Sequence, residues 1–182
     1  MNASLSRLGL MNWHVLLAVS VCTLMAASLR CPILWTLLPP GWDTPYHIGI
    51  ARKIASSGSL PVWIREYSGG TPYEYPFLSH LLLAVLGSII PTNLVDVYRY
   101  VTWGLSFLTV PVLYVCVGIL SRDRYVALTS AFLLATSYTH IDLSVTLYPN
   151  SLGLLMLLVG LTTFAKAVDE DRLGLTLVAS LV

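Results

Sequence analysis

The chain has 182 residues, 56% of them hydrophobic and only 10% charged, with a mean hydropathy of +0.76. A soluble domain carries about 25% charged residues, so this composition excludes an ordinary water-soluble fold and predicts an integral membrane protein. The formal net charge is +1, with no basic run or stripe, which argues against nucleic acid as a partner.

The first residues carry one charge, Arg7, and lead into an apolar stretch from about Met11 to Leu29. That stretch is long enough to cross roughly 30 Å of hydrocarbon. Ala26, Ala27 and Ser28 offer weak signal-cleavage chemistry, but the length of the segment and the spans after it favour an uncleaved signal anchor. Arg30 sits where a lipoprotein cut before Cys31 would need a small residue. Cys22, Cys31 and Cys116 show neither CxxC nor metal-ligand spacing, so no disulfide framework and no zinc site are expected.

Pro39, Pro40 and Gly41 end any helix and introduce GWDTPYHIGIARKIASSGSLP. Asp43 and Thr44 are good N-cap types, Pro45 suits the first helical position, and Gly58 followed by Pro61 is a stop signal. The spacing predicts a helix from about Pro45 to Ser57. Tyr46, His47, Ile50, Ala51 and Ile54 share one side and Arg52, Lys53, Ser56 and Ser57 fall on the others, the pattern of a helix lying on a membrane surface. Asp43 stands at its N-terminus, where unsatisfied N–H groups and the positive dipole end favour a charged carboxylate.

A loop with turn chemistry at Gly69, Gly70 and Pro72 follows, then an apolar stretch from Phe77 to Ile90 that is short for a span and reads as interfacial or re-entrant. Further spans are expected at Tyr100 to Leu120, Tyr125 to about Ile141 and Asn150 to about Ala167. HIDLSVTLYPN reads as a short polar loop between the last two. Another apolar run opens near Leu173 and is cut off at Val182, so the chain reads as the N-terminal part of a longer one.

If Phe77 to Ile90 does not cross, Arg7, Arg122, Arg124, Lys166 and Arg172 share one side, as the positive-inside rule requires. The expected fold class is therefore all-α: a polytopic transmembrane helix bundle with a long first outer loop, about residues 30–99, containing two short interfacial helices. The expected location is the cell membrane, multi-pass, with the N-terminus cytoplasmic and the Asp43 loop on the outer face.

That outer segment concentrates Asp43, His47, Arg52, Lys53, Arg65, Glu66, Glu74, Tyr75 and His80 in a chain otherwise poor in ionisable groups. Asp43 and His47, four apart, share a helix edge, so His47 is either an ordinary interfacial residue or a group that orients an acceptor or a metal. Glu74 lies between two tyrosines before Pro76, and His80 projects from the edge shared with Leu83 and Gly87. Asp43 is the candidate catalytic residue; His47, Arg52, Glu74, Tyr75 and His80 are candidate substrate-binding residues. Gly69 and Gly70 form a turn rather than a phosphate loop, and no nucleophile or metalloprotease motif occurs.

The first span, WDTPYHIGIARKIASSGSLP, the YEYPFLSHLLLAVLG helix and the later spans joined by short edges resemble the N-terminal part of C-type polytopic membrane glycosyltransferases. That superfamily includes oligosaccharyltransferase catalytic subunits, protein O-mannosyltransferases and the aminoarabinose transferases of lipid A. The resemblance implies a polyprenyl-phosphate-linked sugar donor, a lipid, glycan or protein acceptor, and contact with membrane lipids. Asp43 matches the family's first-loop acid, which acts as acceptor base, orienting group or ligand of a divalent metal, Mg or Mn. Where oligosaccharyltransferases carry DxD in the second outer loop, this chain reads LYPNS, with Tyr148 and Asn150 in place of acids and Asp142 out of register. A metal-independent relative acting on hydroxyl acceptors or lipids fits that departure better. The alternatives are a membrane transporter, a non-catalytic membrane subunit, or an inactive fragment of the same family. Against a transporter, the ionisable groups gather in one outer loop rather than within the spans.

Overall fold

A computed structural model of the chain describes residues 12–36, 43–64, 70–73, 77–146 and 148–169. The fold is all-α apart from a two-residue antiparallel ribbon. Helix α1 covers Trp13–Arg30 and runs into a 3-10 turn at Cys31–Trp35. Helix α2 covers Thr44–Ser57, and strands β1 (Trp63–Ile64) and β2 (Thr71–Pro72) pair Trp63 with Pro72 and Ile64 with Thr71. Helices α3 (Phe77–Ile89), α4 (Leu94–Ser121), α5 (Arg124–Thr136), α6 (Tyr138–Thr146) and α7 (Tyr148–Asp169) complete the order.

The helix ends follow from local chemistry. Asn12, Asn93 and Asp123 cap α1, α4 and α5, each accepting from a backbone N–H of the first turn. Gly58 closes α2 in the left-handed conformation at φ 67°, its N–H donating to the Ile54 carbonyl. Gly70, at φ 107°, lies so close under the Trp63 ring that a Cβ there would meet Nε1 at 2.6 Å.

Helix α4, 28 residues and about 42 Å long at 1.5 Å per residue, is the mast of the molecule. Two cores lie along it. Around its N-terminal third, Val97 and Tyr98 meet Tyr46, Ile50, Ala51 and Ile54 of α2, Ile64 of β1, and Leu83 and Ala84 of α3. Further along, Val110 and Tyr114 meet Cys22 and Ala26 of α1 and the fully buried Ala127, Ala131 and Ala135 of α5. An alanine every fourth residue lets the α5 backbone approach its neighbours closely, the usual packing device of helices in lipid.

Trp13–Trp35, Leu94–Ser121 and Pro149–Val168 are long and apolar enough to cross a membrane. Their outer faces stay apolar, with Leu17, Val21 and Leu24 on α1, Leu108 and Leu120 on α4, and Leu157, Leu161 and Phe164 on α7 exposed. Such faces suit lipid and would be costly in water.

Three expectations need correction. The stripe of α2 expected to face lipid is covered by protein, because Leu83 and Ala84 of α3 and Val97 and Tyr98 of α4 supply an apolar surface of the right size. The continuous helix expected from Tyr125 to about Ile141 breaks at Ser137, whose ψ of 117° leaves the helical region. There the Ser137 hydroxyl accepts from the His140 N–H, capping the next helix instead of extending the last. The stretch expected to be a polar loop, His140 to Asn150, is helical over most of its length, in α6 and the first turn of α7. The apolar run expected near Leu173 lies outside the described residues.

Candidate functional site

Asp43 immediately precedes α2, and its carbonyl accepts the His47 N–H at 3.0 Å. Its backbone, at φ −91° and ψ −2°, is already near-helical, so the side chain makes no capping hydrogen bond. Capping needs the extended backbone that turns the side-chain oxygen over the first-turn N–H groups. The carboxylate instead acts electrostatically on His47, favouring its protonated form. Thr44, one residue on, is anchored to α4 by a 3.4 Å contact from its hydroxyl to the Tyr98 phenol.

His47 and His80, read separately from the sequence as ligand-contacting residues, meet each other. His47 Nδ1 and His80 Nε2 are 2.8 Å apart, and the Tyr73 hydroxyl lies 2.8 Å from His80 Nδ1. Both imidazoles are fully buried, and Tyr73 is half-buried at the edge of the ribbon. Helical spacing places each histidine on the inward face of its own helix, and the docking of α2 on α3 brings the two faces together. Tyr46 packs edge-on to both rings, at 5.6 and 6.2 Å between centroids.

Burial pushes His47 down to about 4, with Asp43 opposing the shift. Burial, reinforced by His47, likewise pushes His80 down to about 4. Burial, with Tyr46 close by, raises Tyr73 to about 12. All three groups are therefore neutral at physiological pH, joined by hydrogen bonds whose direction is set by tautomer and hydroxyl rotation.

Arg52 is exposed on the opposite side of α2. With Lys53 and Ser56 it borders a groove of about 430 Å³ whose apolar wall is Pro45, Tyr46, Gly49, Ile50 and Ile64. A cationic rim over an apolar wall is the chemistry that receives an anionic amphiphile. Glu74 and Tyr75, expected to bind substrate, lie outside the described residues.

Among the described residues no three His, Cys, Asp or Glu side chains converge. The facing nitrogens of His47 and His80 are committed to one another, leaving Asp43 as the carboxylate at this helix end. Mg²⁺ and Mn²⁺ require an oxygen-rich set of near-octahedral geometry, which these residues do not compose.

A second buried polar cluster escaped the sequence reading. Arg30, 1% exposed, ends α1 by donating to the Ala26 carbonyl at 2.9 Å, the Ala135 carbonyl at 3.2 Å and His140 Nδ1 at 2.6 Å. Because a guanidinium only donates, His140 Nδ1 is the acceptor and the ring proton resides on Nε2, 3.4 Å from the Thr109 hydroxyl. This cluster satisfies the carbonyl end of α5 and joins the break at Ser137 to α1 and α4. No periodicity or spacing announces it, since its members come from four separate helices. Tyr73 was missed for a related reason: it belongs to no helix, and only the ribbon aims it at His80.

Comparison of the chain with protein-family models, curated proteins and solved structures gives no match.

Proposed function

We propose that the chain is part of a membrane glycosyltransferase that moves a sugar from a polyprenyl-phosphate-linked donor to an acceptor at the outer membrane face. The observation that carries this reading is the construction of α2. Asp43 stands at its head beside His47, and a groove with an apolar wall and a rim of Arg52 and Lys53 runs along its other side from Pro45. The resemblance of the Asp43 and His80 stretches to the C-type superfamily supports the same reading.

In this mechanism the groove takes the donor, its wall against the first isoprene units and its cations beside the phosphate. The acceptor oxygen forms a bond to the anomeric carbon while the carbon–oxygen bond to phosphate breaks, its electron pair leaving with polyprenyl phosphate. Asp43 orients the acceptor and takes its proton. Arg52 and Lys53 offset the charge that develops on the leaving phosphate. The α2–α3 unit lies on the outer face in this reading, and Arg122 and Arg124, past the far end of α4, lie on the cytoplasmic face.

The test is transfer of radiolabelled sugar from polyprenyl-phosphate donors in membranes of a gene-deleted host complemented with wild-type or variant protein. Asp43→Asn is expected to reduce transfer by about 100-fold or more. Arg52→Gln is expected to raise KM for the donor. Undiminished transfer by Asp43→Asn, or no transfer by the wild type from any lipid-linked donor, would overturn the reading.

A further inference from the structure

We propose that Gly49 is a specificity-determining position of the groove along α2, where its missing side chain leaves a notch for a branch methyl of an isoprenoid phosphate. The inference rests on the donor reading above, from which it takes its ligand class, and deepens it by naming the residue that selects the tail.

Gly49 lies in the interior of α2, where glycine is disfavoured because it loses more backbone freedom on folding than alanine and brings no side chain to pack. Two features of a fold can require such a glycine, and neither is present. The glycines with positive φ among the described residues are Gly58 and Gly70, so the Gly49 backbone is open to any residue. Nor does protein crowd it: a Cβ built on Gly49 meets nothing within 4 Å, whereas one built on Gly87 would run into the Leu94 side chain. What lies over Gly49 is the groove of about 430 Å³.

Pro45, Gly49 and Arg52 recur at helical spacing along one face of α2, with Lys53 beside them. Gly49 is therefore the floor between the apolar start of that face and the cations, which follow one turn on, about 5 Å along the axis. Charge complementarity places the phosphate beside Arg52 and Lys53 and runs the tail over Gly49 toward Pro45, against the buried side chains of Tyr46 and Ile64. An isoprenoid tail carries methyl branches at regular intervals, and a methyl is the group that alanine would have placed in the notch. A linear acyl chain has no branch to fill it. One methyl gained or lost in an apolar site changes affinity by about 10-fold or more, so this single position can separate the two kinds of tail.

The test is a phosphorus NMR titration of wild type and variants in phosphatidylcholine nanodiscs, with empty nanodiscs as the blank. The probes are hexahydrofarnesyl phosphate and dodecyl phosphate, which share head group and backbone length and differ in the branch methyls. Wild type is expected to prefer the branched probe by about 10-fold. Gly49→Ala is expected to bring the two probes within about 2-fold of each other and to raise the Tm of the unliganded protein by about 2 °C, since alanine suits a helix better. Arg52→Gln should weaken both probes alike and keep the preference. No binding by wild type, equal binding of the two probes, or an undiminished preference in Gly49→Ala would overturn the inference. A lowered Tm in Gly49→Ala would do the same, by marking a glycine kept for the fold. So would displacement of the branched probe by phosphatidylglycerol at equal mole fraction, the mark of an ordinary headgroup site. No sugar moves in this assay, so a preference found beside absent transfer removes the transfer reading alone, and a preference missing beside intact transfer removes this inference alone.

Discussion

His47 and His80 share a 2.8 Å hydrogen bond in a fully buried site, and that burial ties the stability of the α2–α3 pair to pH. Both rings are held down to about 4, below the ordinary histidine value near 6.5, so between those limits the unfolded chain binds more protons than the folded one. The stabilisation is complete above about pH 6.5 and is lost as pH falls toward 4, at up to ~1.4 kcal/mol per pH unit for each ring. The groups that act on the pair are Asp43 just before α2, Tyr46 of α2 and Tyr73 of the ribbon. Of these only Asp43 opposes the loss, by favouring protonated His47. Thermal unfolding in detergent is expected to show a Tm that drops between pH 7 and 5. His80→Gln, which removes one titrating ring, should flatten that profile; an equally steep profile would contradict the assignment.

At the scale of elements, α2 depends on a stop as much as on its apolar face. Gly58 holds a left-handed backbone at φ 67°, and an added Cβ there meets nothing within 4 Å. Gly58→Ala therefore isolates the backbone cost, about 1 kcal/mol, with no confounding clash. The expected result is a modestly lower Tm with the helical circular dichroism unchanged. The break between α5 and α6 illustrates the opposite case, where a hydroxyl ends a helix that hydropathy alone would continue. At 13 residues α5 is about 20 Å long, too short to cross hydrocarbon by itself, and Arg30 satisfies its final turn through the Ala135 carbonyl. A buried guanidinium is tolerable there because carbonyls and an imidazole surround it.

Across the whole molecule, α4 separates two cores of different character. The one near its N-terminus encloses the His47–His80 pair under α2 and α3, and the one further along is an apolar contact of α1, α4 and α5. With α4 long enough to cross a bilayer, single cysteines at Ser56→Cys and Arg122→Cys, in a background with Cys22, Cys31 and Cys116 replaced, are expected to label from opposite faces of sealed vesicles. Labelling of both from one face would contradict the proposed orientation of the α2–α3 unit.

Hydropathy and capping chemistry by themselves determined most of the helices of this protein, but not the break between α5 and α6 or the helical course of the stretch from His140 to Asn150. The expected segments at Met11 to Leu29, Pro45 to Ser57, Phe77 to Ile90 and Asn150 to Ala167 agree with α1, α2, α3 and α7 to within a few residues. Tyr100 to Leu120 lies inside α4, whose added turns at the N-terminal end carry Asp96 and Arg99 and begin at the Asn93 cap. Those features are local: a membrane-length apolar run, a proline at a first turn and a glycine past a last turn act through near neighbours in the chain. What α2 rests on, which nitrogen of His140 accepts, and that His47, His80 and Tyr73 form one chain were decided by tertiary structure. Each of these depends on partners 7 to 110 residues away in sequence, and the pairing exists only once the helices have docked.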